Sequence, residues 1–69
     1  MLNRIRIERA EKRITQQELA ERCGVSRQTI NAIEAGKFIP STLLALKIAH
    51  TFGKPIEELF ALEEQDWKA

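Results

Sequence analysis

The chain has 69 residues, of which 43 % are apolar and 30 % charged, and its net charge is +1. A chain of this order buries only about 60 % of the surface its unfolded form exposes, enough for one small core, so a two-domain enzyme is excluded. The single cysteine, Cys23, excludes an internal disulfide, and it stands far from the single histidine, His50, so no zinc-ligand spacing exists and neither metal nor cofactor is expected.

Helical periodicity with capping residues predicts five short helices and an all-α fold. The first is expected from about Asn3 to Lys12, with Asn3 as its cap and Leu2, Ile5 and Arg9 down one side. Thr15 caps a second from Gln16 to Cys23, Glu18 completes a capping box, and Gly24 supplies the left-handed stop. Ser26 caps a third from Arg27 to about Ala35, ended by Gly36. After a loop from Lys37 to Pro40, Ser41 caps a fourth helix from Thr42 to Phe52, stopped by Gly53. Pro55 opens a short fifth from Ile56 to about Phe60, and the rest, Ala61 to Ala69, is acidic.

The small net charge hides an asymmetry. Residues 1–54 hold ten of the eleven basic residues against five acids, whereas residues 55–69 hold one base against five acids. Such blocks often separate a polyanion-facing surface from one with another task. No unbroken apolar run exceeds four residues, as in Leu43 to Leu46, far below the roughly 20 residues of a membrane span. The first ten residues are charged where a secretion signal would be apolar, so a cytoplasmic protein with no membrane partner is expected.

Residues 16–35, QQELAERCGVSRQTINAIEA, carry apolar groups where two helices crossing steeply through a short turn require them: Leu19, Cys23, Val25, Ile30 and Ile33. Ala20 leaves room for the crossing, and Gly24 takes the positive φ of the turn. With VSRQTINAIE in the third helix and LALKIA in the fourth, the chain resembles the helix-turn-helix regulators of the Cro and phage-repressor (xenobiotic-response-element) type, most closely their short, single-domain bacterial members. The likeness spans about residues 3 to 62. It implies a five-helix, phage-repressor-like DNA-binding domain over residues 1–69, with double-stranded DNA as partner.

With Thr29, Ile30 and Ile33 toward the core, the opposite arc of the third helix carries Arg27, Gln28, Asn31, Ala32 and Ala35 and no carboxylate. Arg forks onto guanine, and Gln or Asn pairs with adenine, so Arg27, Gln28 and Asn31 are expected to read bases, with Ala32 seated against a thymine methyl. The resemblance implies phosphate contacts from Gln16, Ser26, Thr29, Lys37 and the amides around Phe38. Capping alone is the competing reading for Gln16 and Ser26 and the favoured one for Ser41, and Lys37 can equally be a solvated loop charge. The resemblance also implies a structural ion pair between Arg9 and Glu34. Arg13 stands where many relatives have glycine, so a positive φ is expected at a residue with a side chain. Ala35 removes a phosphate contact that many relatives make. Cys23 reads as a small buried hydrophobe.

The fourth helix turns Leu44, Ala45, Ile48, Ala49 and Phe52 inward, yet its other side carries Leu43, Leu46 and His50. Leu46, Ile56 and Leu59 are assigned to the core. Leu43, His50, Phe60 and Leu62 are expected in a two-fold dimer interface within about residues 43–67, because one small domain touching a few base pairs discriminates poorly among genomic sites. Relatives also pair the segment after helix five with the N-terminus, which implies a two-stranded sheet between Phe60 to Glu64 and Met1 to Arg4.

The function expected is a dimeric, sequence-specific transcriptional regulator, a repressor on a pseudo-palindromic operator, without catalysis or a small-molecule ligand. The alternative is an antitoxin or protein-interaction module with secondary DNA binding. His50 has no nucleophile or carboxylate at a justifiable spacing, and no glycine-rich phosphate loop exists, so an enzyme is not expected.

Overall fold

A computed structural model describes residues 1–68, and Ala69, the end of the acidic tail, lies outside the described residues. Five helices are joined by a minimal sheet: β1 (Leu2–Asn3), α1 (Ile5–Lys12), α2 (Gln16–Cys23), α3 (Arg27–Glu34), α4 (Thr42–Phe52), α5 (Ile56–Leu59) and β2 (Phe60–Ala61), followed by a 3-10 turn at Glu64–Trp67. The all-α reading with a small terminal sheet is therefore the fold observed.

The helix ends follow their caps. Thr15 Oγ1 accepts the Glu18 N–H at 3.0 Å while the Glu18 carboxylate accepts the Thr15 N–H at 3.1 Å, so both members of the box are present. Ser26 and Ser41 cap α3 and α4 through the amides of Thr29 and Leu44, each at 3.2 Å. Gly24, at φ 72°, turns the chain between α2 and α3 without a side-chain penalty. Arg13 makes the same left-handed turn after α1 with φ 56°, a conformation that costs a residue with a Cβ about 1 to 2 kcal/mol.

The start of α1 differs from the sequence expectation. Asn3 is a good cap residue, and its Oδ1 does accept the Ile5 N–H at 3.2 Å. The backbone there instead joins the sheet: Leu2 pairs with Ala61 and Asn3 with Phe60, antiparallel, and Arg4 N–H donates to Leu59 O at 2.9 Å. That pairing draws Asn3 out of the helix, and its amide Nδ2 donates to Ile33 O at 2.9 Å, tying the sheet to the end of α3. The sheet is also shorter than expected, because β2 stops at Ala61 and Glu64–Trp67 coils into the 3-10 turn.

Ile5, Leu19, Ala20, Cys23, Ile30, Ile33, Leu44, Ile48, Ala49, Phe52 and Leu59 form one buried cluster, with Ile14, Val25, Ile56 and Phe60 packed against it. Full burial of each large aliphatic group among them favours folding by about 1.5 to 3 kcal/mol. Leu46, expected in this core, is instead 51 % exposed. It lies between Leu43 and His50 on the outer stripe of α4, where no neighbouring element covers it. Thr29 is only half-buried, its hydroxyl 3.0 Å from that of Ser26.

Glu8 is a charged member of the interior, only 1 % exposed. Lys54 Nζ donates to Glu8 Oε2 at 2.7 Å and so ties α1 to the turn before α5. The same carboxylate, by hydrogen bond and charge, raises the Lys54 ammonium above its usual pKa. Among the described residues no helix is long and apolar enough to cross a membrane, and no group of His, Cys, Asp and Glu is placed to hold a metal ion.

Candidate nucleic-acid interface

The crossing of α2 and α3 follows from small and apolar groups at the contact. Ala20 and Leu19 of α2 and Ile30 and Ile33 of α3 are all buried, which leaves the opposite face of α3 free. Arg27, Gln28 and Asn31 are exposed on that face and Ala32 is half-buried beside them. Among the described residues, Arg27 forms no ion pair, so its guanidinium keeps its whole donor fork for an external acceptor. The sole carboxylate of α3, Glu34, is turned away from this face. Arg9 Nε and Nη2 donate to its two oxygens at 2.8 and 3.1 Å, and the Glu34 side chain is 1 % exposed. Arg9 Nη1 also donates to Ile14 O at 3.1 Å, so one guanidinium clamps α3 to α1 and to the turn after it.

The ends of α2 and α3 offer a second kind of group. Caps satisfy the Glu18 and Thr29 amides, but the amides of Gln16, Gln17, Arg27 and Gln28 precede any intrahelical acceptor and carry the positive end of each helix dipole. Gln16 is half-buried at the start of α2, and its Nε2 donates across the motif to Asn31 Oδ1 at 3.2 Å. Sequence reasoning placed Gln16 and Asn31 separately and missed this contact. Ser26 Oγ is occupied as a cap and by the Thr29 hydroxyl, although both side chains stay at the α3 N-terminus.

The loop after α3 is more selective than expected. Lys37 is exposed and its ammonium is unpaired among the described residues, but its backbone N–H donates to Ala32 O at 2.9 Å. The Gly36 N–H is likewise committed, to Ile33 O at 3.0 Å. Of the amides around Phe38, those of Phe38 and Ile39 make no backbone hydrogen bond among the described residues. Ser41 serves as the cap of α4.

The expected dimer residues belong to other elements, Leu43 and His50 to α4, Phe60 to β2 and Leu62 to the segment after it. Leu43 and Leu62 are 65 % and 60 % exposed and His50 is exposed, whereas Phe60 is half-buried against the core. Trp67, on the terminal 3-10 turn, is exposed too.

Comparison with known proteins agrees with this geometry. A helix-turn-helix family model matches residues 5–59. An uncharacterised HTH-type transcriptional regulator of Methanocaldococcus jannaschii is 50 % identical over 66 residues, covering 96 % of this chain and 100 % of that one. The uncharacterised HTH-type transcriptional regulator YgzD of Bacillus subtilis is 46 % identical over the same shares, so the relatives are archaeal as well as bacterial. The crystal structure of the clp gene regulator ClgR from Corynebacterium glutamicum superposes with a TM-score of 0.74 at 31 % identity, covering 78 % of this chain and 57 % of that one. These relatives are named as regulators and not as enzymes. A match across α1 to α5, with a crossed α2–α3 pair presenting a carboxylate-free polar face, makes this chain a member of the helix-turn-helix family of DNA-binding transcriptional regulators of the Cro and phage-repressor type.

Proposed function

We propose that this protein acts in the cytoplasm as a homodimeric repressor, setting α3 of each copy into successive major grooves of a pseudo-palindromic operator. The observation that carries this reading is the outer face of α3, where Arg27, Gln28 and Asn31 stand exposed beside small Ala32 with no carboxylate among them. These side chains match the donor and acceptor pattern of base edges. Gln16, Ser26, Thr29, Lys37 and the Phe38 amide flank them as phosphate donors, aided by the ends of α2 and α3. The whole chain, residues 1–69, forms the DNA-binding unit, with the motif at 16–35.

A second copy supplies the specificity that one recognition helix lacks. Exposed Leu43, Leu46 and Leu62 with His50 give the surface, and half-buried Phe60 supports it from below. The negative charge of residues 55–69 belongs far from phosphate. The dimerisation region spans about residues 43–67.

Selection from random oligonucleotides, followed by footprinting, tests the reading. Two protected half-sites with centres about 34 Å apart are expected. Light scattering at micromolar concentration should return a dimer, and Leu43→Glu should convert it to a monomer that binds a single half-site. Absence of any selected sequence, or a wild-type monomer occupying one half-site, would refute the proposal.

A further inference from the structure

The hydrogen bond from Gln16 Nε2 to Asn31 Oδ1, 3.2 Å long, joins the first residue of α2 to the fifth of α3 and constrains what Asn31 can present to a base. A carboxamide carries its acceptor oxygen and its two-hydrogen donor nitrogen in one plane, pointing in divergent directions. With Oδ1 turned back toward α2, Nδ2 is turned away from it. Asparagine has one side-chain torsion fewer than Gln28, so with Oδ1 engaged its amide has less freedom to reorient. Gln16 is in turn held at a helix start closed by the Thr15–Glu18 box. Among the described residues, neither Arg27 nor Gln28 has a comparable restraint, since no other residue hydrogen-bonds their side chains.

The geometry points to Asn31 as a donor-only reader whose polarity is set by Gln16. Such a side chain offers N–H to a major-groove acceptor: N7 of either purine, guanine O6 or thymine O4. It is denied the two-bond pairing with adenine, which needs Oδ1 on the base side to accept from N6. Cytosine, whose edge presents an amino donor, is the base it rejects. Gln16 thereby acts as a positioning residue for specificity, beyond any contact it makes with phosphate. This inference rests on the reading of α3 as a major-groove helix and deepens it at one position.

Parallel selections from random oligonucleotides with the wild-type chain, Gln16→Ala, Asn31→Ala and the double variant test it. The wild type should show one position depleted in cytosine without a preference for adenine over guanine, and Asn31→Ala should erase that depletion there and nowhere else. Gln16→Ala frees Oδ1 and should shift the same position toward adenine by about tenfold, the scale of one added base-edge contact. The double variant should match Asn31→Ala at that position. A Gln16→Ala protein that binds every sequence more weakly with unchanged preference overturns the inference, as does a wild type already selecting adenine there through Asn31. Both outcomes leave major-groove reading standing. A wild type that selects no sequence removes that reading and this inference together.

Discussion

Arg9 and Glu34 are joined by two parallel hydrogen bonds, 2.8 and 3.1 Å long, with the acid buried and the base 17 % exposed. A carboxylate on α3, the proposed recognition helix, is thereby converted into a strut between α3 and α1. Glu34→Ala strands the guanidinium beside Ile14 O, and removing one partner of such a pair costs on the order of 3 kcal/mol. For a chain of this size that lowers Tm by about 10 to 20 °C. The operator selected by the surviving folded fraction should be unchanged; unchanged melting with an altered operator would overturn the structural role.

Glu8 and Lys54 make the complementary case, in which an acid as well buried is only half satisfied. Glu8 Oε2 is paired at 2.7 Å, while Oε1 makes no hydrogen bond among the described residues. Lys54→Met therefore leaves a buried carboxylate without its cation and should lower Tm. Glu8→Leu combined with Lys54→Met removes both charges and should recover the wild-type Tm or exceed it, because apolar replacement of a buried pair is often neutral or stabilising. A double variant melting well below the wild type would show that the pair itself favours the fold.

Legibility of these features in the sequence depended on the range of the interaction that makes them. The bounds of α2 and α4 are readable because each is marked at both ends, by Thr15 and Ser41 and by Gly24 and Gly53, whose φ values are 72° and 65°. The start of α1 is not, since Asn3 carries a local cap signal that pairing with Phe60 overrides. The burial of Glu8 is not readable locally either, because its partner Lys54 returns 46 positions later. The exposed arc of α3 was visible because helical period alone places Arg27, Gln28 and Asn31 opposite Ile30 and Ile33. The Gln16–Asn31 bond was not, because it requires the crossing angle of two helices. One missed feature had a signal: Glu63 and Asp66 stand at capping-box spacing, and they close the terminal turn.

Arg27 and Lys37 are both exposed and unpaired among the described residues, yet they should fail differently. Arg27→Ala should lose about 1 to 3 kcal/mol of specific affinity and relax the preference at one base pair. Lys37→Ala should weaken every sequence alike and reduce the salt slope of binding by about one unit. Titrations against operator and scrambled duplex at several salt concentrations separate the two. A Lys37→Ala protein with a changed base preference would reverse the assignment of reader and anchor.

The terminal turn supplies a pH test. Asp66 Oδ2 accepts the Glu63 N–H at 2.7 Å and lies 3.1 Å from the Met1 ammonium. The backbone donor first, and the ammonium second, hold the Asp66 carboxyl below its ordinary 3.8. Because the folded value is depressed, the stabilisation is fully present above 3.8 and disappears as pH falls through the lower folded value. Trp67, the only tryptophan, closes this turn and is 76 % exposed, so its release changes mobility far more than environment. Its fluorescence anisotropy should therefore drop on acidification while the far-ultraviolet helical signal persists. Asp66→Asn should show the low anisotropy already at neutral pH and lack the acid step. Anisotropy that stays constant on acidification until the helices themselves melt would mean that this carboxylate does not hold the turn.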